Sequence, residues 1–254
     1  MLTIVHFSDI HLGQDHRGDG GARARGRAER VMAYLDALPG APDAVLVTGD
    51  LADHGLPAEY REVAEALVSR HPVLFCPGNH DIRGPYREVL LGEGPADGPV
   101  NRLHRLPGAD VLMLDSSVPG RHDGLLDEET LGWLDRTLAE GAPDRPALVA
   151  FHHPPVVLHL PYVDPIRQFG EERLAEVLGR HPRVRALLCG HAHTAAATTF
   201  AGLPLLVAPG VVSTVALPCE GGAEITYDQP PMVAFHVLDD TGRLTTHYRV
   251  VTSG

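Results

Sequence analysis

The amino-acid sequence predicts one layered α/β domain over residues 1–254, and three patterns support this. Short apolar runs rich in β-branched residues alternate with helix-like stretches, which is typical of parallel strands joined by helices. Beyond about residue 200 the helical pattern stops and strands follow one another, which predicts a second sheet or an antiparallel extension. Apolar residues make up 44% of the chain, enough for a full-sized core.

The predicted strands are short apolar runs that end at glycine, proline or polar residues. The early ones are apolar at nearly every position, which is typical of strands buried on both faces. In chain order they are Leu2–Phe7, Ala44–Thr48, Val73–Cys76, Val111–Leu114, Ala147–Phe151, Val184–Cys189, Leu205–Ala208, Met232–Leu238 and Leu244–Val251.

Helical stretches occupy most of the gaps between the early strands. The clearest start is at Asp127, which suits an N-cap and is followed by Glu128 and Glu129 in the first turn. In chain order the predicted helices are Arg23–Leu38, Ala58–Arg70, Tyr86–Leu91, Asp127–Glu140 and Glu171–Arg180.

Composition excludes several classes of function. All 21 basic residues are arginine, so a Schiff-base lysine or the lysine of a Walker-type phosphate loop is excluded. A net charge of −12 argues against a nucleic-acid partner, but a small phosphate ester fits if bound cations supply positive charge. Three cysteines are too few for a disulfide framework, and no signal-peptide or membrane-spanning pattern occurs. We therefore expect a cytoplasmic protein without a membrane partner.

Polar residues cluster directly after five of the predicted strands. Because the carboxyl ends of parallel strands meet at one edge of a sheet, we expect these clusters to lie together. Glycines 49, 78 and 190 precede the polar residues, where close backbone approach or positive φ is expected. The clusters are Ser8-Asp9-Ile10-His11, Thr48-Gly49-Asp50, Pro77-Gly78-Asn79-His80-Asp81, His152-His153-Pro154-Pro155 and Gly190-His191-Ala192-His193.

Seven oxygen and nitrogen donors in these clusters indicate a metal centre. They are too many for one four-coordinate zinc site and suit two ions about 3.5–4 Å apart that share a carboxylate. Carboxylate and imidazole donors without thiolate favour manganese, iron or zinc. The seven donors are Asp9, His11, Asp50, Asn79, His152, His191 and His193.

The order of these motifs resembles the calcineurin-like metallophosphoesterase superfamily, whose blocks D-x-H, G-D, G-N-H-[DE], H and G-H-x-H are all intact. The resemblance extends from Thr3 to about Pro218, and it is closer to the bacterial class III cyclic-nucleotide phosphodiesterases and their glycerophosphodiesterase relatives. It implies a four-layer α/β/β/α sandwich of two mixed sheets flanked by helices. The closer match lies in Pro77-Gly-Asn-His-Asp-Ile-Arg83, Leu114-Asp-Ser-Ser117, Phe151-His-His-Pro-Pro155 and Asp164-Pro-Ile166.

The resemblance also implies roles for individual residues. Asp9, His11 and His193 would hold the first metal ion, Asn79, His152 and His191 the second, and Asp50 would bridge them. His80 would be the catalytic imidazole, with Asp81 either orienting it or capping the next turn. We prefer His152 to His153 as the ligand, because adjacent residues of a strand point to opposite sides.

The activity implied is hydrolysis of a small phosphodiester, a 3′,5′-cyclic nucleotide or a glycerophosphodiester, by in-line attack of a hydroxide held between the ions. Iron and manganese are the expected metals, with zinc as an alternative, and a homo-oligomer of two or more chains is expected. Two alternatives remain open: a phosphomonoesterase on the same scaffold, acting on a nucleotide or a phosphoprotein, and a metal-free interaction module.

Some residues keep two interpretations. Arg23, Arg27 and Arg30 form either a solvated helix face or a phosphate-steering group, and His16 lies in a surface loop or faces substrate. His6 is expected to be a satisfied core residue. The specificity candidates are Arg83, Tyr162 and Asp164.

Overall fold

The computed structural model describes residues 1–94 and 96–252 of the chain. The strands are β1 (Leu2–Phe7), β2 (Ala44–Thr48), β3 (Val73–Cys76), β4 (Arg102–Leu106), β5 (Ala109–Met113), β6 (Gly124–Leu125), β7 (Ala147–Ala150), β8 (Gln168–Phe169), β9 (Val184–Cys189), β10 (Ala196–Phe200), β11 (Leu203–Val207), β12 (Thr214–Val215), β13 (Ile225–Thr226), β14 (Met232–Leu238) and β15 (Leu244–Val250). The helices are α1 (Ala22–Asp36), α2 (Pro57–Ala66), α3 (Arg83–Tyr86), α4 (Glu128–Glu140) and α5 (Glu171–Gly179).

Two mixed sheets dominate the structure. The first sheet has the order β15-β14-β1-β2-β3, and the second has the order β10-β11-β9-β7-β5-β4. In the first sheet β1, β2 and β3 are parallel, and β14 and β15 add antiparallel pairs on one side. In the second sheet β11, β9, β7 and β5 are parallel, and β10 and β4 pair antiparallel at the two edges. The C-terminal strands β14 and β15 extend the first sheet antiparallel to β1, so the predicted antiparallel extension is confirmed.

Alternation along the strands divides the core into three apolar layers. On β2, Val45 and Val47 pack with α1 and α2, whereas Leu46 packs in the layer between the sheets. On β7, Val149 packs with α4 and α5, and Leu148 packs in the same middle layer. Since side chains of a strand alternate between its two faces, each sheet contacts helices on one side and the other sheet on the second. The predicted four-layer sandwich is confirmed.

Strands β4 and β10 have five residues each and were not predicted from the sequence. Both are edge strands. The first contains Arg102 and Arg105, and the second is exposed at its central positions. Edge strands keep one side in solvent and therefore tolerate charged and polar residues, which removes the apolar pattern that predicts a strand. By contrast, the N-cap predicted at Asp127 is present, because its carboxylate accepts a hydrogen bond from the Thr130 backbone N–H at 2.8 Å.

Candidate metal centre

The predicted strand ends of both sheets meet in one place. The backbone N–H of Asp9, after β1, donates to the carbonyl oxygen of Gly49, after β2, at 3.2 Å. The N–H of Gly190, after β9, donates to the carbonyl oxygen of His152, after β7, at 2.9 Å. These loop-to-loop hydrogen bonds fix the relative positions of the side chains that follow.

Four predicted donors form one tight group, with their ligating atoms all within 4.8 Å of one another: Asp9, His11, Asp50 and His193. The Nε2 atom of His11 lies 3.3 Å from Nε2 of His193 and 3.5 Å from Oδ2 of Asp50. The Nε2 atom of His193 lies 3.4 Å from Oδ1 of Asp9. Nitrogen and carboxylate oxygen atoms thus surround a single point, as the donors of one cation would.

The other three predicted donors, His152, His191 and Asn79, lie close to this group. The Nε2 atom of His152 is 3.3 Å from Oδ2 of Asp50 and 3.9 Å from Oδ1 of Asp9. The ring of His191 is 5.0 Å from that of His152, centroid to centroid. Asn79 lines the same cavity as Asp50 and His191. All seven predicted donors are therefore together, and Asp50 lies close to donors of both groups.

Several of these donor atoms are buried without a hydrogen-bond partner among the described residues. They are Oδ1 and Oδ2 of Asp9, Oδ1 of Asn79, Nε2 of His152 and Nε2 of His191. A buried polar atom without a partner costs free energy, so such a concentration in one place indicates a missing partner. A metal ion accepts electron pairs from carboxylate, amide and imidazole groups alike, and the residues present therefore fit a metal.

Hydrogen bonds at the Nδ1 atoms aim three imidazoles at this point. The Nδ1 atom of His11 lies 2.9 Å from Oδ1 of Asp53, and that of His193 lies 2.7 Å from Oγ of Ser213. The Nδ1 atom of His152 lies 2.6 Å from the Thr48 carbonyl oxygen, which fixes the proton on Nδ1. Such contacts orient metal-binding histidines and leave Nε2 free.

Backbone conformation also distinguishes the donors. Asp9, His11, Asp50, His191 and His193 all have positive φ, between 42° and 66°. This left-handed conformation is uncommon outside glycine and costs free energy, although aspartate and histidine adopt it more often than most residues. Five of the eight non-glycine residues with positive φ in the described chain are predicted donors, and such strained conformations cluster at functional sites.

The glycines that precede the donors have the expected roles. Gly49 has φ of 90°. A Cβ atom at position 78 would overlap the Asp50 carboxylate, and one at position 190 would overlap the Ser8 side chain. The backbone therefore approaches the centre more closely than other residues would permit.

Charge at the centre favours a cation. Burial alone would lower the pKa of His152, but the carboxylates of Asp50 and Asp9 raise it to about 9. Burial would raise the pKa of Asp50, yet His152 and His11 hold it well below its usual range. The negative potential that retains a proton on His152 is the same potential that would stabilise a metal ion in its place.

His153 is beside the centre, and its ring nitrogens are occupied. Nδ1 lies 2.8 Å from Oγ of Ser116, and Nε2 lies 3.2 Å from the His122 carbonyl oxygen. Its ring also lies 4.5 Å from that of His191. These contacts support the choice of His152 over His153 as a ligand.

His80 is oriented by a residue that the sequence analysis did not single out. Its Nδ1 donates to the backbone carbonyl oxygen of Asp53 at 2.7 Å, and its backbone N–H donates to Oδ1 of Asp50 at 2.9 Å. Asp53 thus supports both His11 and His80, and its only signal in the sequence is its place in the same turn as Asp50. Ser213 and the Thr48 carbonyl had no signal at all.

The interpretation of Asp81 as the partner of His80 is wrong. Its carboxylate instead accepts hydrogen bonds from the backbone N–H groups of Gly78, Leu51 and Ala52, and from the Tyr60 hydroxyl. The backbone groups come from the turns after β2 and β3 and the hydroxyl comes from α2, so Asp81 holds the two turns and this helix together.

A cavity of about 470 Å³, here called the donor cavity, opens on this centre. His11, Asp50, Asn79, His80, His191 and His193 line its polar side, together with Gln14, whose Oε1 has no hydrogen-bond partner in the part of the chain described. Its other wall is apolar and aromatic: Tyr162, Val163, Ile166, Val215, Ile225 and Tyr227.

A second cavity of about 670 Å³, the adjoining cavity, shares three lining residues with the first: Asn79, His80 and His122. Arg83 also lines it, but its guanidinium donates to Asp115 at 2.8 Å and to two backbone carbonyl oxygens. Arg83 therefore stabilises the surrounding loops.

The solvated-face interpretation holds for Arg30, which is exposed, but not for Arg23 and Arg27. Arg27 is buried, and it donates to the carbonyl oxygens of Val211 at 2.5 Å and Gln229 at 2.7 Å. Arg23 donates to the Val212 carbonyl oxygen at 2.8 Å. These residues hold the segment that carries one wall of the donor cavity.

His16 packs against Tyr227 of the same wall but does not itself line the donor cavity. Its ring stacks on Tyr227 with centroids 4.1 Å apart, and the Arg23 guanidinium lies 5.1 Å from the Tyr227 ring centre. His6 is fully buried and bonded to His236 at 3.0 Å and Thr48 at 2.9 Å, so its interpretation as a satisfied core residue is confirmed.

Comparison with known proteins gives consistent matches. A family model described as calcineurin-like phosphoesterase matches residues 2–195. The chain is 38% identical over 244 residues to a Rhodococcus erythropolis protein named "Probable cyclic nucleotide phosphodiesterase", covering 94% of this chain and 80% of that one. It is 32% identical to the glycerophosphodiester phosphodiesterase GpdQ of Enterobacter lignolyticus over 242 residues, which are 92% of this chain and 86% of that one.

Among solved structures, a dimetal phosphatase from Danio rerio superposes with a TM-score of 0.70 at 17% identity, covering 99% of each chain. At this identity the match concerns the fold, and it agrees with the two mixed sheets flanked by helices. None of the helices in residues 1–94 and 96–252 has the length and apolar character needed to cross a membrane.

Proposed function

Because the chain belongs to the calcineurin-like phosphoesterase family, we propose that it hydrolyses a small phosphodiester, most simply a 3′,5′-cyclic nucleotide. It is a metal-dependent phosphodiester hydrolase with two metal ions. The observation that carries the proposal is the group of buried donor atoms around Asp50 that have no hydrogen-bond partner among the described residues. The cyclic-nucleotide substrate is supported by the name of the Rhodococcus relative.

We assign the donors to the two ions as the motifs suggest. Asp9, His11 and His193 would hold the first ion, Asn79, His152 and His191 would hold the second, and Asp50 would contribute to both. Iron and manganese are the proposed pair, as the family resemblance implies, with zinc as the alternative. Carboxylate, amide and imidazole donors without thiolate suit all three metals. When bound, the ions supply an activated water and neutralise charge on the phosphate oxygens.

His80 is the proposed catalytic residue, and its hydrogen bonds define what it can do. A carbonyl oxygen can only accept, so the contact with Asp53 places a proton on Nδ1. Nε2 is then the atom left for substrate in the cavity. In the protonated ring Nε2–H can donate to a phosphate oxygen or give its proton to the departing alkoxide. Gln14 Oε1 can accept from a substrate hydroxyl, which both ribose and glycerol carry.

A glycerophosphodiester is the second candidate substrate. The two cavities that meet at Asn79, His80 and His122 offer a place to each ester arm of a linear diester. The similarity to the glycerophosphodiester phosphodiesterase of Enterobacter lignolyticus also supports a glycerophosphodiester as substrate.

The test is hydrolysis of a substrate panel by the metal-reconstituted protein. The panel is bis-p-nitrophenyl phosphate, p-nitrophenyl phosphate, 3′,5′- and 2′,3′-cyclic nucleotides, and glycerophosphodiesters. We expect diesters to be hydrolysed faster than monoesters, activity to disappear on chelation, and metal to restore it. A preference for the monoester over every diester would overturn the proposal in favour of a phosphomonoesterase.

We also propose that residues 1–254 form one domain, supported by the apolar layer that the two sheets share. A homo-oligomer of two or more chains stays a prediction, which light scattering after size-exclusion chromatography would test. The cytoplasmic location likewise stays a prediction.

A further inference from the structure

The aromatic wall of the donor cavity has no role in holding metal ions. Tyr162 lies on this wall with half of its surface exposed (50%), between the buried residues Leu160 and Val163. A half-exposed aromatic ring beside a polar centre offers a flat apolar face to an apolar part of a ligand.

The turn that carries Tyr162 is fixed by Asp164. Its carboxylate accepts hydrogen bonds from the backbone N–H groups of Leu158 at 2.8 Å and Leu160 at 3.0 Å. The N–H groups of Val163 and Asp164 both donate to the Leu160 carbonyl oxygen at 2.9 Å. The tyrosine is therefore held at a defined position on the cavity wall, and Asp164 acts through it.

The rest of this wall is also preorganised. Val215 of β12 and Ile225 of β13 pair in a separate two-stranded antiparallel sheet, and Tyr227 follows directly after β13. The Tyr227 ring is packed against His16 and the Arg23 guanidinium, which restricts its motion. Tyr162 is the more exposed of the two tyrosines.

We propose that Tyr162 stacks against the base of a nucleoside phosphodiester, which then lies between Tyr162 and the other wall residues Val215, Ile225 and Tyr227. This inference rests on the proposed function and makes the wall the element that selects a cyclic nucleotide over a glycerophosphodiester. A base has flat faces that stack on aromatic rings. A glycerol arm has mainly hydroxyl groups, which would lose water beside this wall without gaining hydrogen bonds.

The test compares kcat/KM for 3′,5′-cyclic AMP and for glycerophosphoethanolamine in four proteins: wild type, Tyr162→Ala, Tyr162→Phe and Tyr248→Ala. The alanine variant should lose about tenfold on cyclic AMP, mainly through KM, and little on the glycerol diester. Tyr162→Phe should retain the wild-type value because it keeps the ring. Tyr248 lies on β15 outside the residues that line the donor cavity, so its loss should change neither substrate.

An equal loss on both substrates, or no loss on cyclic AMP, would overturn the inference. Saturation-transfer NMR with adenosine, which has no phosphate, keeps this test separate from the proposed function. We expect transfer to the base protons in the wild type and its loss in Tyr162→Ala. Equal transfer in both proteins would overturn the stacking site, whereas a protein that hydrolyses no diester but shows this difference would contradict only the proposed function.

Discussion

The imidazole of His80 is hydrogen-bonded through Nδ1 to the backbone carbonyl oxygen of Asp53, at 2.7 Å. The acceptor is a backbone atom, so no substitution of the Asp53 side chain removes it. The orientation of the His80 ring therefore depends on the backbone conformation of the turn after β2. The same turn supplies Asp50, whose Oδ1 accepts from the His80 backbone N–H. The proposed catalytic imidazole and the proposed bridging carboxylate are thus fixed by one loop.

His80→Ala should lower kcat by about a hundredfold or more, the usual contribution of a general acid, without changing metal content. The loss should be smaller for bis-p-nitrophenyl phosphate than for a cyclic nucleotide, since p-nitrophenolate departs without help from an acid. Steady-state kinetics and elemental analysis measure both effects. Equal losses on the two substrates would indicate stabilisation of phosphate oxygens instead, and unchanged turnover would remove His80 from catalysis.

Asn79→Ala and His191→Ala should each lose the second metal ion, because each removes a donor whose buried atom has no partner in the described chain. Elemental analysis should then give about one ion per chain in place of two. His247→Ala, which changes an exposed histidine on β15, serves as the control and should keep both ions. Full occupancy in both test variants would refute the assignment.

Asp53→Ala should lower the affinity for the first metal ion by about 10–100-fold, because His11 loses the carboxylate that orients its ring. The change leaves the Asp53 carbonyl oxygen in place for His80. A matched control is Asp135→Ala, which removes the carboxylate partner of His181 at 2.6 Å, outside the donor cavity. Competition with a chelator measures the affinity, and equal values for the two variants would disprove a specific role of Asp53.

Arg27→Ala should destabilise the fold by about 2 kcal/mol, because the carbonyl oxygens of Val211 and Gln229 lose a buried donor. KM should rise more than kcat falls, since the affected segment carries a wall of the donor cavity. Arg30→Ala on the same helix changes an exposed arginine and should stay within about 0.5 kcal/mol of the wild type. Urea denaturation and kinetics test this, and similar behaviour of the two variants would contradict the bracing role.

The buried pair of His6 and His236 should make stability depend on pH. Burial lowers the pKa of His236 to about 3, and burial together with His236 lowers that of His6 well below its usual range. The native state therefore stays neutral here while the unfolded state takes up protons below about pH 6.5, so stability falls as pH decreases. His236→Gln should reduce this slope by about 1.4 kcal/mol per pH unit between pH 6 and 4. Urea denaturation across that range decides it, and an unchanged slope would show that His236 does not carry the effect.

The donors could be predicted from the sequence because their position depends only on the strand that precedes each of them and on the geometry of a parallel sheet. A residue such as Asp9 or His191 follows a recognisable strand, and parallel strands bring their carboxyl ends to one edge. The same argument placed His152 at the centre without knowledge of any contact. The layered fold could be predicted from the same strands, because strands buried on both faces are apolar at nearly every position.

The supporting residues could not be predicted, because their partners are set by how distant loops cross. Ser213 meets His193 only because the chain after β11 returns to the centre, and the buried Arg27 satisfies carbonyl oxygens roughly 200 residues away. Charge alone favours solvent for an arginine, so its burial has no local signal. Of the two interpretations of Asp81, the one in which it orients His80 is wrong for the same reason, since proximity in the sequence does not fix the direction in which a carboxylate points.

The left-handed backbone at five donor positions affects which substitutions can stabilise this protein. Each of those residues costs about 1 kcal/mol or more relative to glycine at the same dihedral angles. Glycine at Asp9 or His193 would relieve that cost and remove a donor in the same step. Stability screens that do not monitor metal content would therefore favour variants that have lost the centre, so stabilising this chain and retaining its chemistry are opposed at these positions.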